Sequence, residues 1–162
     1  MEEPKNIVFQ CELKARPFSA LSTKELNLVH KALGARNRSH APYSKFQVGA
    51  ALLLSNGHIV LGANQENAAY PSGLCAERVA LFSAGVQYPK EKVEAIAVCV
   101  MEGAKQLPLP CGGCLQVMSE YEYQQKSAIK VYLIEEDKEL VYLTESTRDL
   151  LPFSFNESHL PN

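Results

Sequence analysis

Three cysteines and one glutamate are the residues of this chain whose types and spacing could do chemistry together. The stretch Tyr70-Pro71-Ser72-Gly73-Leu74-Cys75-Ala76-Glu77-Arg78 puts a thiol and a carboxyl two positions apart where a helix is expected to begin. Further along, Pro110-Cys111-Gly112-Gly113-Cys114 opens a second helix, with two thiols three positions apart on one face of its first turn. Together Cys75, Cys111 and Cys114 could hold a single ion. Soft thiolates favour zinc, and three protein ligands leave the fourth tetrahedral position open for water, which is the arrangement of a catalytic site. Three thiolates on a divalent ion leave excess negative charge, offset here by the free N–H groups and positive dipole ends of two helix starts and by the Arg78 guanidinium. Glu77 is then placed to take a proton from the metal-activated water. Positioned proton transfer contributes roughly 10²–10⁴-fold, and a metal lowers the pKa of water from about 15.7 toward about 7. Hydrolysis of a polar C–N bond follows from that pair of effects.

Simpler assignments exist for each of these residues. A CxxC at a helix start also resembles a thioredoxin-type redox pair, and a zinc site closed by a fourth ligand would be structural. Glu77 by itself could be a solvated helix-start carboxylate. Phe46 could be a core aromatic, Asn64 a turn residue, Glu66 an exposed acid, and Phe155 an anchor for the tail. Cys99 lies within an apolar strand and reads as core, while Cys11 has no partner motif. His30, His40, His58 and His159 lack ligand spacing to one another or to a cysteine.

The elements that position the four key residues are legible from periodicity. At 162 residues the chain suits one domain, with an apolar fraction of 46% sufficient for a core without disulfides. Ser22, three residues before Glu25, suits a capping box, and Leu26, Val29 and Leu33 follow at helical spacing, predicting a helix to about Arg38. Phe46 to Leu54 and His58 to Asn64 read as a hairpin about Ser55-Asn56-Gly57. A helix from Cys75 to about Val86 follows. Glu94 to Met101 reads as a strand covered on both faces, and a helix is expected from Cys111 to about Gln124. Ile129 to Ile134 and Glu139 to Leu143 read as an antiparallel pair, with a short helix over Ser146 to Leu150. This order predicts an α/β fold, a three-layer α/β/α sandwich with a mixed five-stranded sheet. Residues 1–21 read as an N-terminal extension whose Ile7 to Leu13 alternation suits an edge strand or an arm, and 22–162 as a single catalytic domain. A net charge of −2 with scattered lysines argues against nucleic acid. No apolar run approaches bilayer length, no signal-like segment appears, and five cysteines in such a chain point to metal or catalytic use in the cytoplasm.

Four motifs occur in one order: Tyr43-Ser44-Lys45-Phe46-Gln47-Val48-Gly49-Ala50-Ala51-Leu52, Asn64-Gln65-Glu66-Asn67-Ala68-Ala69-Tyr70-Pro71, Cys75-Ala76-Glu77-Arg78 and Pro110-Cys111-Gly112-Gly113-Cys114. Through them the chain from Ala41 to its tail resembles the small, homotetrameric cytidine deaminases, and its cysteine set matches the three-cysteine variant of the zinc-deaminase signature. The resemblance implies zinc, one per subunit, held by Cys75, Cys111 and Cys114. Glu77 would be the proton carrier in hydrolysis of cytidine and 2′-deoxycytidine to the uridine forms and ammonia, a pyrimidine-salvage reaction. It further implies that Asn64 and Glu66 bind sugar hydroxyls and that Phe46 packs against the ligand. By the same resemblance the Ala76 N–H would hold the pyrimidine carbonyl, and Ala68, Tyr70 and Phe155 would reach a neighbouring subunit's pocket. The implied assembly is a homotetramer, with a dimer as the alternative. Related enzymes act on aminopyrimidine nucleoside antibiotics, but Asn64 and Glu66 favour a free ribose. Where the family carries arginine after the second CxxC cysteine, this chain has Leu115, one positive charge fewer near the sulfurs.

Overall fold

The computed structural model describes residues 6–103 and 107–160. Its frame is six strands, β1 (Lys14–Pro17), β2 (Val48–Leu54), β3 (Ile59–Ala63), β4 (Val93–Val100), β5 (Lys130–Glu135) and β6 (Leu140–Thr144), and three helices, α1 (Thr23–Arg36), α2 (Ala76–Gln87) and α3 (Gly112–Gln125). The strands form one sheet in the order β1-β6-β5-β4-β2-β3, in which β4 and β5 run parallel and every other pair antiparallel. The sheet is mixed, as expected.

Each helix starts where the sequence supplies a reason. Ser22 caps α1 in a full capping box, accepting from the Glu25 amide while the Glu25 carboxylate accepts from the Ser22 N–H at 2.8 Å. That carboxylate also accepts from the Tyr132 hydroxyl of β5, which fastens the cap to the sheet. The β2–β3 turn closes through Gly57, whose φ of +83° is open to glycine and costly to other residues. Alternate residues of the central strands face opposite layers. Leu52, Leu54, Ile96 and Val98 pack with Ala80, Leu81, Cys114 and Met118 of α2 and α3, while Ala51, Leu53, Ala95 and Ala97 pack with Leu28, Val29 and Ala32 of α1. The three layers are therefore α1, the sheet, and α2 with α3.

The sheet has six strands, not the five expected. The additional strand is β1, and it forms at Lys14–Pro17, not over the alternating Ile7 to Leu13, which is coil. Pairing with the outer edge of β6 selects the register, Lys14 opposite Leu143 and Pro17 opposite Leu140. Proline is tolerated there because an edge strand has one side without ladder bonds, and Lys14 and Arg16 on the same edge discourage further strand pairing. Ahead of β1, Phe9 meets Phe153 edge to face at 4.7 Å, so this arm runs beside the tail. Residues 1–5 of the extension lie outside the described residues.

At the far end the tail is tied down by a buried carboxylate. Glu122 of α3 accepts from the Ile129 amide at 2.6 Å, the Thr147 amide at 3.0 Å and the Ser146 hydroxyl at 3.1 Å. Three donors satisfy a charge that would be costly to bury alone.

What seats the site end of α2 is a missing side chain. A Cβ on Gly62 of β3 would stand 2.2 Å from the Ala76 carbonyl oxygen and 2.7 Å from the Ala80 nitrogen, so only glycine lets the first turn of α2 rest on the sheet. Gly62→Ala is expected to destabilise the protein by about 1–3 kcal/mol through overpacking. Thermal unfolding of wild type and variant checks this; an unchanged Tm would contradict the close contact.

Candidate metal centre and cleft

Cys75 and Cys111 are the N-cap residues of α2 and α3, and neither side chain makes a capping hydrogen bond. Serine or aspartate at such positions would turn inward to the helix amides. Instead the sulfurs face one another. Cys75 Sγ lies 3.9 Å from Cys111 Sγ, and Cys111 Sγ lies 3.6 Å from Cys114 Sγ, one turn into α3. All three lie within 4.8 Å of one another, and the group includes no fourth histidine, cysteine or carboxylate among the described residues. A tetrahedral zinc with Zn–S bonds of about 2.3 Å separates its sulfurs by about 3.8 Å, so the trio fits that ion with one ligand position unclaimed by a side chain.

The surrounding groups favour a thiolate at Cys75. The Cys75 thiol is held down to about 5, chiefly by its hydrogen bond with Cys114 and further by Arg78, whose Nη2 lies 3.7 Å from the sulfur. Cys114 is pushed up by its bond to Cys75 and by burial. Arg78 is stabilised as a cation by the same sulfur. Its Nε is buried without a partner.

Glu77 lies in the first turn of α2 and is 4% exposed. Burial pushes its carboxyl above the usual carboxylate range, and the neighbouring Cys75 charge pushes the same way. Both effects favour the protonated form over the carboxylate. A solvated helix-start carboxylate would show neither.

Glu77, Cys75 and Cys111 open onto a cleft of about 1050 Å³, whose far wall carries Phe46, Asn64 and Glu66. The structure thus brings together eight expected residues, these six with Arg78 and Tyr70, the last 80% exposed. Asn64 follows the end of β3 and is half-buried. Its Oδ1 accepts from the Val48 amide at 2.9 Å and its Nδ2 donates to the Phe46 carbonyl at 2.9 Å, so it also fixes the strand that carries the aromatic. Glu66 accepts from the Tyr43 and Ser44 amides at 2.9 and 3.2 Å and from the Ser44 hydroxyl. These donors lower its pKa, the Ser44 hydroxyl most.

Other expected residues lie elsewhere. Ala76 is buried at the first position of α2, where a backbone N–H has no acceptor within its own helix. Ala68 and Phe155 are exposed and do not line the cleft of their own chain. Phe155 is held by backbone bonds to the Gln116 side chain, at 2.6 and 3.2 Å, and stacks on His159. Leu115 is buried in the core between the sheet and the α2–α3 layer, so the position lacking the family's arginine serves packing here. Cys99 is buried, donates to the Ala32 carbonyl, and has its thiol raised to about 11 by burial; Cys11 is exposed and unpaired. Sequence reasoning assigned no role to Ser44, although a hydroxyl two residues before Phe46 was a readable signal.

Comparison with known proteins places these features in one family. Residues 22–129 match the cytidine and deoxycytidylate deaminase zinc-binding region. A cytidine deaminase of Halalkalibacterium halodurans is 41% identical over 128 residues, 79% of this chain and 91% of that protein. A cytidine deaminase of Sporosarcina psychrophila is 38% identical over 134 residues, 82% of this chain and 92% of the other. The crystal structure of cytidine deaminase from Burkholderia pseudomallei superposes with a TM-score of 0.69 at 40% identity, covering 80% of this chain and 97% of that one. Zinc is accordingly the ion that the cysteine trio is positioned to bind.

The purified protein is expected to carry about one zinc per chain. Cys75→Ser and Cys111→Ser should each lose most of it, and chelation of the wild type should lower its Tm, because an ion bound only by the native state stabilises that state. Elemental analysis and thermal unfolding check this; full zinc content in both variants would contradict the site.

Proposed function

We propose, on the premise that this chain belongs to the cytidine and deoxycytidylate deaminase family, that its cleft hydrolyses cytidine and 2′-deoxycytidine to uridine and 2′-deoxyuridine with release of ammonia, as in pyrimidine salvage. The observation that carries this reading is the trio of sulfurs at tetrahedral spacing, two of which line one cleft with a buried carboxyl whose pKa burial raises. Cys75, Cys111 and Cys114 hold the zinc, whose Lewis acidity, when bound, makes water a nucleophile near neutral pH.

Glu77 moves the protons. It takes one from the attacking water and delivers it to the pyrimidine ring nitrogen beside C4. It then carries a second to the exocyclic amino group, so that the C4–N bond breaks and ammonia leaves. Its raised pKa suits both directions of transfer. The Ala76 N–H, at the positive end of α2, holds the pyrimidine carbonyl, Phe46 packs against the ligand, and Asn64 and Glu66 take the sugar hydroxyls. Arg78 offsets the thiolate charge that Leu115 leaves uncompensated.

Among the described residues lining the cleft, Arg78 is the sole cation, and it is turned to a sulfur, whereas Glu66 brings a negative charge to the opposite wall. That balance favours a nucleoside over its 5′-phosphate. The catalytic unit spans residues 22–162, with 1–21 an extension that borders it through β1. No helix among the described residues is long and apolar enough to cross a membrane, and unpaired thiols suit the reducing cytoplasm, where we place the reaction.

The assembly is a homotetramer in which Ala68, Tyr70 and Phe155 approach a neighbour's cleft. Their exposure supports this, since all three present surface to solvent within the single chain. Light scattering is expected to give four times the chain mass of 17.9 kDa; a monodisperse monomer with full activity would contradict it. Glu77→Gln is expected to keep its zinc while losing roughly 10²–10⁴-fold in kcat, followed as the loss of cytidine absorbance. Full activity in that variant would remove Glu77 from the mechanism.

A further inference from the structure

Glu66 is an ionised carboxylate facing the cleft, and its two oxygens are not equivalent. Oε2 accepts two backbone N–H groups, from Tyr43 at 2.9 Å and from Ser44 at 3.2 Å. A carboxylate oxygen offers about two lone-pair directions, so Oε2 is filled by the protein. Among the described residues Oε1 has a single donor, the Ser44 hydroxyl. One acceptor direction on Oε1 is left over, and the Ser44 bond decides where it points.

The same hydroxyl does a second thing. Ser44 Oγ accepts the Phe46 amide N–H at 3.0 Å, and the Phe46 carbonyl accepts from Asn64 Nδ2 at 2.9 Å. A single chain of bonds therefore runs from Glu66 through Ser44 and Phe46 to Asn64. The turn that permits it has a cost, because Lys45 stands at a φ of +59°, the left-handed region that side-chain-bearing residues rarely adopt. Ser44 is itself exposed and packs into no core cluster. Its bonds, and not burial, account for its place.

We propose that Ser44 is a positioning residue for sugar recognition: its hydroxyl aims the free acceptor of Glu66 at a ribose hydroxyl and locks that carboxylate to the Phe46 and Asn64 wall. The proposal rests on the reading of Glu66 as a sugar ligand. Ser44 touches neither the ring undergoing reaction nor the metal ligands, so its loss falls on binding and spares the chemical step.

The test compares cytidine with 2′,3′-dideoxycytidine, which lacks both hydroxyls Glu66 could hold, in the zinc-loaded wild type and in Ser44→Ala, Ser44→Thr and Glu66→Gln. Hydrogen bonds to charged groups are worth enough that Ser44→Ala should raise KM for cytidine about 10-fold. Its kcat should stay within about twofold, its KM for the dideoxynucleoside should change by less than about twofold, and Ser44→Thr, which keeps the hydroxyl, should recover most of the loss. An unchanged KM for cytidine, or an equal rise for both nucleosides, overturns the proposal, since a merely structural role would affect them alike. Glu66→Gln separates the two layers of the argument. If Glu66→Gln raises KM for both nucleosides equally, or for neither, the reading of Glu66 has failed; if it raises KM for cytidine selectively while Ser44→Ala does not, the role of Ser44 alone has failed.

Discussion

Bringing three thiolates within 4.8 Å of one another is electrostatically costly unless a cation sits among them, and much of this fold answers that constraint. The cysteines are the last residues before two helices and one turn inside the second. Two sets of unpaired helix N–H groups and one guanidinium thus face the same point. Each helix start must be held to a fraction of an ångström for the sulfurs to meet. Gly62 allows α2 to touch the sheet, and the burial of Leu81, Cys114 and Met118 between sheet and helices fixes α3 beside it.

The same geometry sets the surroundings of the Glu77 carboxyl. Glu77 is buried because α2 is buried, and it is near a negative sulfur because Cys75 caps that helix. Its raised pKa is therefore a by-product of where the metal ligands sit, not of a separate device. On the opposite wall the logic reverses. Glu66 receives several donors that lower its pKa, so the cleft pairs a carboxyl raised by burial with one lowered by hydrogen bonds. Two carboxyls serve different ends because their surroundings differ.

Much of this was legible in the chain because it rests on local rules. The Ser22–Glu25 capping box, the Asn56-Gly57 turn and the β4 run buried on both faces follow from short-range chemistry, and each element formed within a few residues of its expected bounds. The cysteine trio was legible through spacing. What escaped depended on partners distant in sequence. Alternation over Ile7 to Leu13 suggested a strand, but the free edge of β6 recruits Lys14–Pro17 instead, because pairing energy is decided by the neighbour and not by periodicity. Asn64 was read as a ligand residue, and no local signal revealed that it also braces Phe46 and Val48 across 16 to 18 positions. Leu115 was noted as a missing charge, while its burial could only be seen once α3 lay on the sheet.

The account depends on a metal bound by sulfur from three cysteines with one position left for a light atom. X-ray absorption at the zinc edge of the protein as purified measures that set directly. Three sulfur scatterers at about 2.3 Å together with one oxygen or nitrogen near 2.0–2.1 Å is the predicted shell. A shell of four sulfurs, or one made of nitrogen and oxygen alone, would contradict it.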